Sequence, residues 1–352
     1  MNRLFHIFAA ALLFFASPAF AQSEEEESNS PLEFSGSVDT YYKYDFSGTP
    51  NIGTSFASDQ NSFSLGMFNL IATKEVGKAS FVADIGMGPR NASSVGPSDY
   101  EFQPGIQNLY VSYAATENLT FTGGYMGTFV GYEIISPAGN FNYSTSYLFT
   151  NGPFQNAGFK VDYAINDKVA IMAGVFNDWN VYHQPAGIDL SSFGAQLAVS
   201  PVDGLDMYFN FVTGDNDGSE LDLTAGYQIS DQFYIGLNAA SWKVDIPAIN
   251  DEASFKGAAL YAQYGVSDVV ALGLRGEMFS TKNSGYIGYD LTSGAEAEGV
   301  TAITLSANIG SGALKLIPEF RFDSASEAVF TDANSNPTNL AVQGLVAAVF
   351  AF

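Results

Sequence analysis

From residue 32 onward the chain alternates. Even positions carry Leu32, Phe34, Val38, Tyr42, Tyr44 and Phe46, while odd positions carry Glu33, Asp39, Lys43 and Asp45. Successive side chains of a strand point to opposite faces, so this pattern predicts a strand with one apolar and one polar face. The rhythm returns in Leu205, Met207, Phe209 and Phe211, in Leu221, Leu223, Ala225 and Tyr227, and in Leu316, Pro318, Phe320 and Phe322. No amphipathic helical stretch matches it in strength. Extended along the chain, the pattern predicts sixteen strands, near 32–46, 61–74, 79–88, 106–114, 119–128, 156–164, 169–176, 191–200, 205–213, 220–229, 233–242, 255–264, 269–279, 300–309, 313–323 and 339–352. The second is the weakest, because Phe68, Asn69 and Leu70 break the alternation.

Tight connections at 115–118, 165–168, 201–204, 230–232, 265–268 and 310–312 alternate with others that mostly run to twelve residues or more. This asymmetry, with an even strand count, predicts an all-β fold: a closed antiparallel up-and-down transmembrane β-barrel of about 16 strands, with long external loops and short periplasmic turns. Hydrocarbon offers backbone groups no partners, so a sheet within it has to close on itself. Tyr113, Tyr163, Tyr227 and Tyr264 each precede a turn pair, Thr116-Glu117, Asn166-Asp167, Ser230-Asp231 and Ser267-Asp268, with two residues between. Tyrosine at that point suits an aromatic girdle at the lipid headgroups. A soluble β-sandwich is the bland alternative, but it accounts poorly for alternation that runs through Val346, Ala348 and Phe350 to Phe352.

The start of the chain reads as an address. Arg3 precedes an apolar run from Leu4 to Phe15, and Ala19-Phe20-Ala21 offers the small residues a signal peptidase takes. The expected organisation is a signal peptide over 1–21, an acidic periplasmic tail over 22–31 containing Glu24 to Glu27, and the barrel over 32–352. A retained membrane helix would need about 20 apolar residues, and Pro18 interrupts this run. Composition narrows the function. The 352 residues hold 13 Lys plus Arg against 37 Asp plus Glu, a formal net charge of -24, which argues against nucleic acid as a partner. Absence of Cys removes disulfides, thiolate metal sites and cysteine nucleophiles.

With the apolar face toward lipid, the other face lines a lumen and carries Asp39, Lys43, Asp84, Lys160, Asp162, Asp206, Asn210, Glu220, Asp222, Arg275, Glu277, Lys315, Glu319 and Arg321. Charges there must be hydrated or paired. The functional reading is a water-filled pore whose wall charges tune selectivity; the structural one is pairing across strands, with Arg321 beside Glu319 and Arg275 beside Glu277. The connection at 129–155 is the longest. Glu133 is its only charge, among Phe129, Tyr132, Phe141, Tyr143, Tyr147, Phe149 and Phe154. A loop in water has no reason to display so many rings, so it is expected to fold into the lumen and narrow it. Tyr132, Glu133, Tyr143 and Tyr147 are then the constriction candidates, with tyrosines available to stack on sugar-like solutes. A lid over the rim, or a contact between protomers, is the alternative.

The runs Gly124-Tyr125-Met126-Gly127-Thr128-Phe129-Val130-Gly131-Tyr132-Glu133, Asn142-Tyr143-Ser144-Thr145-Ser146-Tyr147 and Gly158-Phe159-Lys160-Val161 resemble the β-barrel porins of the OmpL-like type. Asn61 to Leu65 and Gln107 to Tyr113 look similar too, so the likeness is strongest over 32–180. It implies a Gram-negative outer-membrane channel for passive diffusion of small hydrophilic solutes or ions, without catalytic residues, cofactor or metal. A C-terminal strand ending in an aromatic, here Phe352, resembles the signal read by the outer-membrane assembly machinery, and porins of this size suggest a homotrimer. The excess of carboxylates suggests a mild cation preference. Two other classes stay open: a hydrolase, which would have to use His183 beside Asp178 and Asp189, and a non-conducting structural or adhesion barrel. Asp215-Asn216-Asp217-Gly218-Ser219-Glu220 is oxygen-rich but lacks the spacing of a calcium loop.

Overall fold

A computed structural model of the protein describes residues 30–94, 105–184, 186–247, 251–288 and 297–352. The expected signal peptide at 1–21 and all but the last two residues of the acidic tail lie outside them.

The first half of the chain forms β1 (Glu33–Asp45), β2 (Ser62–Val76), β3 (Ala79–Met87), β4 (Gly105–Thr116), β5 (Leu119–Gly127), β6 (Gln155–Asn166), β7 (Val169–Phe176) and β8 (Ser192–Val199). The second half forms β9 (Leu205–Gly214), β10 (Gly218–Gln228), β11 (Phe233–Ile246), β12 (Asp251–Ser267), β13 (Val270–Lys282), β14 (Gly299–Ser311) and β15 (Leu314–Ala325). After a small hairpin, β16 (Phe330–Thr331) and β17 (Pro337–Thr338), comes β18 (Leu340–Ala351). Short helices α1 (Pro89–Ser94) and α2 (Tyr147–Asn151) sit in the second and third long connections.

β1 through β15 and β18 close into one antiparallel barrel in which each strand neighbours the next in sequence and β18 returns to β1. At the seam, Gly36 N–H donates to the Phe352 carbonyl and Phe352 N–H to the Gly36 carbonyl, each at 3.0 Å. No barrel strand is left with an unpaired edge, which is the condition for leaving water. Paired residues share a face, so the register tests the alternation directly. Leu221 stands opposite Phe211, and Tyr264 opposite Phe233 and Leu272, all outward. The outer surface exposes Leu109, Val111, Phe209, Leu221, Leu260, Leu305 and Val346 at mid-strand, with Tyr113, Tyr163 and Tyr264 at the tight-turn ends.

The weak second strand has a physical explanation. Between Val38 and Thr40 the register against β2 slips, so Asp39 faces Gly66 and Met67 together and accepts a hydrogen bond from Met67 N–H at 2.9 Å. This bulge inserts one residue, and outward positions change from odd, Phe63 and Leu65, to even, Phe68 and Leu70. Two connections also differ from the expected lengths. β9 and β10 are joined through residues 215–217 alone, and β11 reaches Ile246 before β12 starts at Asp251, because both hairpins continue their ladders past the predicted strand ends.

Candidate functional site: the barrel interior

Every inward charge has to find a partner or water, and the third connection, 128–154, supplies many of the partners. It lies within the barrel rather than over its rim. Starting beside β5, Phe129 offers its carbonyl to Gln196 at 3.3 Å and Gly131 N–H donates to Asp222 at 3.1 Å. Tyr132 then stacks on Tyr261 of β12 with centroids 4.2 Å apart, its hydroxyl 3.0 Å from that of Tyr234. Further on, Asn308 of β14 donates to the Phe141 carbonyl at 2.8 Å, and Lys315 of β15 to the Ala138 carbonyl at 3.2 Å. The segment therefore spans the wall from β8 to β15 and on to β1, where the Tyr143 hydroxyl donates to Asp39.

Three arginines and five wall carboxylates hold it. Arg275 reaches Glu133 at 2.5 Å and the carbonyls of Ser144 and Thr145 at 2.7 and 3.3 Å; both charged groups are almost fully buried. Arg321 donates to the Thr145 carbonyl at 2.8 Å while its Nε and Nη2 bind Asp323 side-on, at 2.8 and 2.9 Å. Arg90, carried in by α1, donates to the Ile135 carbonyl at 3.1 Å and stands over the rings of Phe56 and Tyr143, 4.6 and 4.7 Å from their centroids. Glu319 accepts from the N–H groups of Tyr143 and Ser144, and Glu277 from those of Tyr147 and Leu148, at 2.8 to 3.2 Å. These backbone groups would otherwise be buried without partners, at a cost of about 1–3 kcal/mol each.

α2 is built into the same lattice. Ser146 caps it, its Oγ accepting from Phe149 N–H at 3.0 Å. The Ser146 N–H and hydroxyl donate to Glu133 at 2.7 and 2.9 Å, so the carboxylate that meets Arg275 also fixes the helix start. The Tyr147 hydroxyl meets Asp323 at 2.8 Å, and its ring stacks on Phe279.

Glycines in the wall make room for the loop's rings. A methyl group at Gly236 would overlap the ring of Tyr132, and one at Gly273 that of Phe141. Both glycines face inward, so their missing side chains leave sockets of ring width in an otherwise continuous wall.

All four constriction candidates, Tyr132, Glu133, Tyr143 and Tyr147, lie inside the barrel. Of the pore-lining candidates, Asp39, Asp222, Arg275, Glu277, Lys315, Glu319 and Arg321 bind this connection. Lys43 instead donates to the Ser58 carbonyl of the first connection at 2.9 Å. Asp84 engages Asn69 and Asn108 on the wall, Lys160 engages Asp162 at 2.9 Å, Asp206 engages Ser200, and Asn210 engages Asp222. The expected ladder pairs do not form as ion pairs; Arg275 and Arg321 turn to Glu133 and Asp323, and Glu277 and Glu319 take loop N–H groups. Arg90 and Asp323 were not among the candidates. One signal for Arg90 lies in the sequence: Arg90, Arg275 and Arg321 are all the arginines after Arg3.

His183 is exposed in the fourth connection, and Asp178 is taken by Asn216 at 2.9 Å. The 215–220 turn is held by such contacts, including Trp179 N–H to Asp217 at 2.6 Å, and no cluster of three metal-ligating side chains occurs among the described residues.

Below the loop a cavity of about 330 Å³ extends to the tight-turn end of β9 to β13, lined by Tyr132, Asn140, Phe141, Asp206, Tyr208, Thr224, Gln228, Tyr234, Tyr261 and Gln263 among others.

Solved structures similar in fold include outer-membrane channels and proteins. The outer-membrane channel DcaP of Acinetobacter baumannii superposes with a TM-score of 0.61 at 12% identity, covering 95% of this chain and 100% of that one. OmpT of Vibrio cholerae in its trimer form gives 0.58 at 12% identity, covering 92% and 99%. OmpF of Salmonella typhi, in complex with daunomycin, gives 0.58 at 11% identity, covering 91% and 97%. No curated protein matches the sequence. The family described as "Putative beta-barrel porin-2, OmpL-like" matches residues 31–352, the whole barrel with the seam strands included. The chain belongs to this family of outer-membrane β-barrel porins.

Proposed function

We propose that the protein is a passive diffusion channel for small hydrophilic solutes or ions, narrowed from within by residues 129–155 and mildly cation-preferring. The observation that carries this is the lattice from Glu133–Arg275 to Tyr143–Asp39, which fixes the third connection across the lumen instead of above it. A segment so held sets the free cross-section, and Tyr132, Glu133, Tyr143 and Tyr147 are its narrowing residues. The cation preference follows from charge: among the described residues of the inner wall, Asp84, Asp162, Asp206, Glu220 and Asp222 face Lys43, Lys160 and Lys315 once Arg275 and Arg321 are taken up by Glu133 and Asp323 and Arg90 by the loop backbone. Porin membership favours a channel over a hydrolase, and Asp178, the acid offered beside His183, is held by Asn216. The same reading places a cleaved signal peptide at 1–21, a tail at 22–31 on the periplasmic side, recognition of the strand ending in Phe352 by the assembly machinery, and a homotrimer in outer-membrane lipid.

Single-channel current from the refolded protein in a planar bilayer under a salt gradient tests it. Discrete open steps with a reversal potential on the cation side are expected, and deletion of 135–150 should enlarge the steps. A correctly folded, heat-modifiable barrel that passes no current would overturn the channel reading; unchanged conductance after the deletion would overturn the narrowing alone.

A further inference from the structure

We infer that the cavity beneath the third connection is a binding subsite for an uncharged, hydroxyl-rich ring solute of mono- or disaccharide size. The inference rests on the channel reading above for how the solute arrives, and on the cavity itself for what it is. At about 330 Å³ the space falls at the lower end of ligand pockets, roughly 300–1,000 Å³. Its chemistry is of two kinds. The apolar wall is tyrosine: Tyr132 and Tyr261 stacked face to face, with Tyr208 and Tyr234 alongside. A flat ring with a polar tip suits a pyranose, whose C–H face is apolar and whose rim is hydroxyl. The polar groups between the rings are neutral. The side-chain amide of Gln263 and the hydroxyl of Thr224 line the cavity and make no hydrogen bond to another of the described residues. Both point inward from β12 and β10, strands held rigid by ladders on each side.

Charge narrows the class further. Among the described residues no lysine or arginine lines the cavity, and Glu133 and Asp206 are its only charged members. Glu133 is neutralised by Arg275, and Asp206 accepts from the Ser200 hydroxyl at 2.5 Å. A carboxylate or phosphate would meet two acids and no cation, whereas a neutral sugar has nothing to lose. The site is also preorganised: the Tyr132 ring is fixed by Tyr261, by the Tyr234 hydroxyl and by its socket at Gly236, so little ordering remains when a solute enters.

The test uses the full refolded chain in a planar bilayer with sucrose added to one side and then the other. Sucrose should interrupt the open current in a concentration-dependent way, more effectively from the side of the tight turns. Gln263→Leu, which removes one amide at nearly constant shape, should weaken the interruption by about tenfold while sugar-free steps stay as they are. Current indifferent to sucrose would overturn the subsite while leaving the channel intact. Interruption by glucose 6-phosphate or by tetraethylammonium at least as strong as by sucrose would also overturn it, since the site would then be reading charge. If no steps are seen at all, the channel reading has failed on its own, and titration calorimetry of the detergent-folded barrel with sucrose decides the subsite: heat that Gln263→Leu diminishes supports it, and absence of heat overturns it.

Discussion

Arg275 shows what a single side chain does in this lumen. Its guanidinium is buried, yet it meets Glu133, two loop carbonyls and the Thr304 hydroxyl at 3.1 Å, so it spans wall and insert at once. Lysine would offer a point charge; the planar fork serves several acceptors in fixed directions. Breaking a buried pair by removing one member costs about 3–5 kcal/mol, because the other charge stays behind unpaired. Arg275→Leu is therefore expected to destabilise the seated loop by about that amount, read as a lower urea midpoint of the folded barrel. Arg275→Leu combined with Glu133→Leu should recover part of the loss, since no lone charge remains. Equal loss in single and double variants would mean that the carbonyl contacts of Arg275, and not the pair, hold the segment.

At the level of elements, the wall and the third connection fit by shape as well as charge. Gly273 and Gly236 receive Phe141 and Tyr132, and filling a socket should lift its ring without disturbing the ladder, which uses only backbone. Gly273→Val, with a side chain that strands favour, is expected to raise single-channel conductance while heat-modifiability on a gel stays normal. Unchanged conductance would show that Phe141 finds another seat. The strands themselves were legible in the sequence because a period of two is imposed by the membrane along each of them, as in 205–213 and 313–323. The bulge at Gly66–Met67 was not, since an inserted residue appears in a sequence only as broken alternation. Contacts of the third connection were legible in kind but not in partner: its rings and lone Glu133 announced burial. Which wall carboxylate would take which loop N–H depends on a path through space that local periodicity does not encode. Arg321 and Glu319 shared a face as expected, yet each found a better partner in Asp323 and in the loop backbone.

Over the whole molecule, two sets of forces are separated by the barrel wall. Outside, apolar side chains meet hydrocarbon; Leu260, in the middle of β12, is 63% exposed there. Leu260→Arg should lower the folding stability in lipid vesicles by about 2–4 kcal/mol, the cost of a cation near the bilayer midplane. A loss no larger than that of a rim substitution would place β12 differently in the bilayer. Inside, polar contacts seat the third connection, whose removal leaves every strand ladder complete. On the proposed narrowing by the third connection, diameter and aperture are specified by different parts of the chain. A lineage carrying this barrel is free to exchange its filter by rewriting a stretch of some two dozen residues, with no renegotiation of how the protein sits in its membrane, and an engineer building a sensing nanopore inherits the same freedom.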